Sequence, residues 1–230
     1  YFDHIFSIFE VEKKFYIKEK YSYIGHPLLS NIIISDKFNF PIKNIGFFLG
    51  SRYQEIVCNI PIIVNLIDKL KKLNNFNFQF YVTREFEPLI RKYFCNDDYN
   101  FFLNDKEYYN NISKLDFAFA CSGTVHLELS CSQIPHFIFY KTNWFNYIIF
   151  KIFVRSKYLS LINIFNKKSC VKEFIQSNFN SSNLNNEFIH MFHNKKLLYD
   201  YTKLMTESLK QSNIKKIDVD KVIDYLKKFS

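Results

Sequence analysis

Glycine is scarce, with only four in 230 residues, alongside five prolines, two methionines and one tryptophan. Neither GxxxxGK[ST] nor GxGxxG occurs, which excludes the glycine-rich phosphate loops of P-loop and dinucleotide-binding proteins. Cysteine is sparse too. The five, at 58, 95, 121, 131 and 170, are odd in number and form no CxxC pair, so neither a disulfide framework nor a zinc site is expected and a reducing compartment fits. His190 and His193 have roughly helical spacing but no third ligand nearby, so no metal is expected. No apolar run is long enough to cross a bilayer. The most lipid-like stretch, "FIFYKTNWFNYIIFKIFVRS" at 137–156, is broken by Lys141, Asn143, Asn146 and Lys151 and could lie on a membrane but not span one. The opening residues lack a signal peptide's basic start and cleavage site. They also lack an initiator Met and begin inside a strand pattern, so a fragment is expected.

What is abundant is Phe, 28 of them, together with Tyr, Ile, Lys and Asn. All have AT-rich codons, and the excess reads as codon drift rather than as an aromatic recognition code. The net charge of +9 favours phosphate ligands or an acidic membrane surface. The lysines are scattered and no nucleic-acid motif is present, so nucleic acid is not expected as a partner.

Short apolar runs alternate with longer helical patterns. Strands are expected at 4–9, 21–25, 44–49, 76–82, 99–103, 116–121 and 136–140, and helices at 27–35, 53–73, 84–94, 105–113, 124–133 and 143–155. Within 53–73, Ile56, Ile60, Ile63, Val64, Ile67 and Leu70 recur at three- and four-residue steps, which marks a face packed on a core. Strands apolar on both faces, alternating with helices, imply an α/β fold: a parallel sheet with helices on both sides. From about 171 onward the pattern turns wholly helical, "VKEFIQSNF" included, with Asp218 as N-cap of the last helix.

Two of the glycines stand where chemistry belongs. In a doubly wound sheet, ligands bind beyond the carboxyl ends of the strands. "FFLGSR" ends one strand: Gly50 permits a tight turn, Ser51 offers a hydroxyl, and Arg52 offers a planar fork for phosphate oxygens. "CSGTVHLE" repeats the plan, with Ser122, Gly123 and Thr124 at a helix start and Glu128 one turn further on, placed to accept from ribose hydroxyls. The plainer alternatives are an N-cap with a solvated Arg52 and an exposed helix acid. His26, in "YIGHPL", faces a cleft or is structural. Asn163, in "SLINIF", forms a turn or contacts a ligand. Glu173 and Gln176, three apart in "VKEFIQ", would share one helical face.

The ordered stretches "FSIFEVEKKFY", "YIGHPL", "FLGSRYQEI", "CSGTVHLEL", "IPHFIFYK", "YLSLINIF" and "VKEFIQ" resemble the lipid-A-disaccharide synthase family, over nearly the whole chain to about 178. The resemblance implies the GT-B architecture of two facing Rossmann-like domains, with a helical C-terminal tail. It implies transfer of 2,3-diacylglucosamine from its UDP derivative to 2,3-diacylglucosamine 1-phosphate, without metal or other cofactor, at the cytoplasmic face of the inner membrane. Residues 1–25 would then close an amino-terminal domain whose remainder is missing. Residues 26–178 would bind the UDP-sugar, and 179–230 would form the C-terminal helices. Arg52, Glu128 and Asn163 match positions regarded as functional in the family, and Gly50, Ser51, Ser122, Gly123, Thr124 and Gln176 match nucleotide contacts. His26 and Glu173 would lie near the cleft. The family's general base belongs to the amino-terminal domain, which another chain or a homodimer partner could supply here. Phe145, Tyr147, Ile148 and Ile149 are the expected membrane contacts. The sequence departs from the family where its usual prolines are replaced by Leu49 and Ile162, and where its PFE piece reads Ile8-Phe9-Glu10. The alternatives left open are another UDP-sugar GT-B enzyme (a peptidoglycan N-acetylglucosaminyltransferase or a UDP-sugar 2-epimerase) and a non-catalytic, membrane-associated nucleotide-binding fragment.

Overall fold

The computed structural model describes residues 3–34, 38–94, 99–103, 105–142 and 157–227. Six parallel strands carry the fold: β3 (Asn44–Phe48), β4 (Asn77–Val82), β5 (Tyr99–Leu103), β6 (Phe117–Cys121), β7 (His136–Tyr140) and β8 (Glu173–Ile175). Their order is β5-β4-β3-β6-β7-β8. This is the doubly wound arrangement, in which strands are added outward in both directions from a central pair. The order of strand addition reverses between β3 and β6, and there the helices that follow these two strands, α1 (Tyr53–Lys71) and α4 (Val125–Cys131), diverge and open a crevice.

The sheet forms because its strands are apolar on both faces and every central one is buried. On one face Phe47, Phe80, Phe117, Phe119, Phe137 and Phe139 interlock, with Phe47 stacked on Phe119 at 5.4 Å between ring centroids. The buried stripe of α1, Ile56, Ile60, Ile63, Ile67 and Leu70, belongs to this core, as does Phe188 of α6 (Ser181–Phe192). Twelve of the 28 phenylalanines are buried in the core. On the other face Phe48, Tyr81, Ala118 and Ala120 pack with Leu129 of α4 and with α3 (Tyr108–Ile112). Asp116 ties the two central strands together at their start, its Oδ2 accepting from the N–H groups of Lys43 and Asn44 at 2.9 and 2.8 Å.

Several expectations need correction. The stretch read as helical at 171–179 contains β8, a three-residue edge strand too short to show a period. "SLINIF" forms α5 (Leu161–Asn166), and the described residues of 27–35 hold only a single 3-10 turn, Pro27–Ser30. The helix expected at 143–155, with Phe145, Tyr147, Ile148 and Ile149, lies outside the described residues.

Residues 5–7 (β1, Ile5–Ser7) and 21–23 (β2, Tyr21–Tyr23) form a separate two-stranded parallel sheet. The chain's end returns to this piece. After α7 (Lys195–Gln211), the segment before α8 (Val219–Leu226) runs beside residues 23–26. The Tyr23 hydroxyl donates to Asn213 O and accepts from Lys215 N, His26 N–H donates to Lys215 O at 2.7 Å, and Asp218 N–H donates to Ile24 O at 2.6 Å. Tyr225 of α8 packs on His4 and Phe6, and Asp218 caps α8 by accepting from Lys221 N. Gly25 permits this contact. Its φ is +83°, and an added Cβ would stand 2.1 Å from the Lys216 carbonyl oxygen. Gly25→Ala is therefore expected to weaken docking of the tail by about 2 kcal/mol. Hydrogen exchange should show residues 213–227 losing protection while β3, β6 and α1 keep theirs; uniform loss would refute the local account.

Candidate functional site

The two glycine turns meet at the switch point. β3 and β6 are direct neighbours, with Phe48 opposite Ala120, so the turns after them leave the sheet side by side. Gly50 adopts φ +112°, and a Cβ there would stand 2.8 Å from Glu55 Oε2 and 3.4 Å from Cys121 Sγ. Asn59, buried on α1 below the turn, holds it by donating to Leu49 O at 2.9 Å. Opposite, nothing lies within 4 Å of where a Gly123 Cβ would be, so the side-chain position at Gly123 is open. Between the turns is a cleft of about 190 Å³ that Gly50, Ser51, Ser122, Gly123, Thr124 and Glu128 all line. Phe48, Tyr81, Val82 and Tyr108 supply its apolar wall.

Orientation at the second turn is set from beneath. Ser122 N–H donates to Phe139 O, whereas the N–H groups of Gly123 and Thr124 make no backbone bond among the described residues. The imidazole of His126 is buried, with Nδ1 hydrogen-bonded to Gly123 O and Nε2 accepting from Leu161 N–H at 3.2 Å. A trans peptide points its C=O and N–H in opposite directions. Holding the Gly123 carbonyl inward therefore turns the Thr124 N–H outward. Since α4 has only seven residues, these individual N–H groups matter more than any summed dipole.

Two carboxylates border the cleft. Glu128 is 7% exposed and its Oε2 accepts from the Tyr108 hydroxyl at 3.0 Å. Burial raises its pKa, and the Tyr108 bond opposes that rise. Glu55 stands at the Gly50 turn and pairs with Arg52, Nη1 to Oε1 at 2.9 Å. The guanidinium side chain is 78% exposed and also borders an adjoining, more apolar hollow beside Tyr53, Val57, Tyr140 and Lys141. The Arg52 end of the pair is open to solvent, while the Glu55 side chain is only 12% exposed. Cys121, between the turns, has its thiol pushed up to about 12 by burial and by Glu55, and so is not a nucleophile.

The other singled-out residues lie elsewhere, all engaged within the protein. The Asn163 amide is fully buried, donating to Val171 O and Glu173 Oε1 and accepting from Cys170 N and Val171 N. Glu173, on β8, accepts from the N–H groups of Leu159 and Ser160. Gln176 does not share a helical face with it. At φ +51° it clamps Thr142, accepting from its N–H and donating to its C=O. These residues pin the chain on both sides of 143–156. His26 is buried at the Gly25 crossing, where its Nδ1 accepts from Leu28 N. Among the described residues no cluster of side chains could hold a metal ion.

A model of the lipid-A-disaccharide synthetase family matches residues 1–222. A lipid-A-disaccharide synthase from Rickettsia felis is 30% identical over 210 residues, covering 86% of this chain and 54% of that protein. The chain thus spans about half the length of the curated relatives it matches. Among solved structures, a putative UDP-N-acetylglucosamine 2-epimerase from Listeria monocytogenes superposes with TM-score 0.58 at 12% identity, covering 89% of this chain and 54% of that one. The C-terminal domain of a group 1 glycosyl transferase from Francisella tularensis superposes with TM-score 0.54 at 12% identity, covering 84% of this chain and all of that domain. At such identities the likeness is one of fold, and the fold is the Rossmann-like lobe of GT-B proteins.

Proposed function

The chain belongs to the lipid-A-disaccharide synthetase family, and on that premise we propose that it is the nucleotide-sugar-binding part of a glycosyltransferase. The reaction is transfer of 2,3-diacylglucosamine from its UDP derivative to 2,3-diacylglucosamine 1-phosphate, giving lipid A disaccharide and UDP. The observation that carries this reading is the meeting of the Gly50 and Gly123 turns on neighbouring parallel strands.

Each residue then has a task. UDP leaves with about two negative charges, so a transfer without metal needs fixed donors at the diphosphate. The outward N–H of Thr124 and the N–H of Gly123, which has no backbone partner among the described residues, supply two of them. Arg52 supplies a cation, its exposed guanidinium turning from Glu55 to the phosphate oxygens. Glu128, inside the cleft, takes the ribose hydroxyls, and the aromatic wall takes the base. Glu173 and Gln176 act at a distance, by fixing both flanks of 143–156. In this reading residues 1–25 end the amino-terminal lobe and 26–178 form the donor lobe, with 179–230 strapping the two. The general base comes from that other lobe. The protein attaches to the inner face of the inner membrane, where both lipid substrates reside. No helix among the described residues is long and apolar enough to cross a membrane.

Calorimetric titration with UDP tests the reading. The chain is expected to bind UDP weakly and to turn over nothing alone. Arg52→Ala should weaken binding about 30-fold, the worth of a charge-assisted hydrogen bond near 2 kcal/mol. No UDP binding by the unaltered chain, or steady disaccharide formation without a second lobe, would refute it.

A further inference from the structure

Glu128 reaches the cleft without a cation at its side. No Lys or Arg forms an ion pair with it among the described residues, and Oε1 makes no described hydrogen bond. The other oxygen, Oε2, is held by the Tyr108 hydroxyl at 3.0 Å. Tyr108 opens α3, and its ring is 8% exposed, edge-on to Tyr81 at 5.8 Å, while Tyr81 stacks on Phe48 at 4.5 Å. A phenol wedged in this way has one orientation, and it points at the carboxylate.

We propose that Tyr108 is the positioning residue for Glu128, holding one carboxylate oxygen so that the other meets the cis-diol of a nucleoside diphosphate. The proposal rests on the reading of the cleft as a nucleotide site and adds a residue outside both glycine motifs. A carboxylate that must accept from two vicinal hydroxyls has to be ionised and fixed in rotation. Tyr108 does both: its O–H stabilises the charged form, and its direction sets the plane of the carboxyl group. The groups facing Glu128 otherwise give no such help. Tyr109 of α3 and Cys131 of α4 sense its charge, Tyr81 of β4 lies behind Tyr108, and Glu55 of α1 and Cys121 of β6 border the cleft across from it. All are neutral or negative. Burial already pushes the Glu128 carboxyl above the usual carboxylate range, and loss of the phenol would push it further.

The test is calorimetric titration of the full chain with UDP and with inorganic pyrophosphate between pH 5 and 8. Tyr108→Phe is expected to weaken UDP about tenfold at pH 7 and to move the acid limb of UDP affinity to higher pH. Pyrophosphate, which has no diol, should bind within about twofold of the unaltered chain, which also shows that the variant is folded. Glu128→Gln should lose as much for UDP, and the double variant should lose no more than Glu128→Gln alone. Tyr109→Phe should behave as the unaltered chain. Unchanged UDP affinity and pH limb in Tyr108→Phe would overturn the proposal, as would an equal loss for pyrophosphate, which marks a merely structural role. If the unaltered chain binds no UDP, the nucleotide reading falls and this proposal with it.

Discussion

Replacing Asn163 by Ala is expected to cost about 4 kcal/mol of folding stability, although the residue lies outside the cleft. Its amide offers two donors and two acceptor positions, and the protein uses all four: Val171 O, Glu173 Oε1, Cys170 N and Val171 N, at 2.7 to 2.9 Å. Ala would strand the Val171 N–H and the Val171 carbonyl in a fully buried place, and would leave the Cys170 N–H with Lys168 O alone and Glu173 Oε1 with Ser160 N–H alone. Each costs about 1–3 kcal/mol when unpaired, less what relaxation recovers. Asn163→Asp should be no better, since it keeps the acceptors but sets a second carboxylate against Glu173. Urea unfolding decides the point. A loss below about 1 kcal/mol together with abolished UDP binding would make Asn163 a ligand contact after all. The resemblance that marks Asn163 as functional is compatible with the stability reading. Glu173, which Asn163 orients, carries the N–H groups of Leu159 and Ser160, and Leu161 N in turn reaches the imidazole under the Gly123 turn. A scaffold variant here disturbs the site through that chain of bonds.

The contrast between Asn163 and Gly50 shows what a sequence can disclose. "GFFLGSR" and "AFACSGT" are legible because a buried parallel strand is apolar on both faces and the residues just beyond it point at the ligand side of the sheet. Strand ends therefore locate site residues with no knowledge of distant contacts. β3 to β7 were readable to within about a residue for the same reason. β8 was not: "EFI" is too short to establish a period, and its partner Tyr140 is more than thirty residues away in sequence. Gln176 was read as helical on a three-residue spacing, whereas its backbone is left-handed and its side chain continues the β7–β8 pairing onto Thr142. Glu55 could have been found, since it stands in the first turn of α1, three residues after the N-cap Arg52 and within pairing distance. Tyr108 could not, because only the packing of α3 against α4 brings it to Glu128, twenty residues on. His126 looked like any helix residue until its two ring nitrogens were seen to bridge Gly123 and Leu161.

That bridge makes the fold acid-labile, and taking the protein from pH 7 to pH 4 is expected to remove on the order of 5 kcal/mol of stability. His126 and His136 are both buried, at 2% and 0% exposure. Desolvation lowers their pKa values from 6.5 to about 4 and about 3. In the unfolded chain each takes up a proton near pH 6.5, while in the folded chain each stays neutral until far below. Across that window the unfolded state binds more protons, so stability is fully present above pH 6.5 and falls with pH, by up to about 1.4 kcal/mol per unit for each histidine. Their mutual repulsion keeps the two contributions from being independent. Glu128 works in the opposite sense, because its folded pKa is raised, but a single carboxyl offsets only part of the loss. Urea midpoints from pH 7 to 4 should fall steeply. The fall should flatten in the variant His126→Asn/His136→Asn, whose amides keep a donor near each imidazole Nδ1. A flat profile in the unaltered protein, or an equal slope in the variant, would show that these histidines are not the source. Protonation of His126 also sets an N–H against the Leu161 N–H that Nε2 now accepts, so the Gly123 turn should loosen before the sheet does. UDP affinity is therefore expected to fall at a higher pH than the far-ultraviolet signal of the helices, and simultaneous loss of the two would place the acid-sensitive point elsewhere in the core.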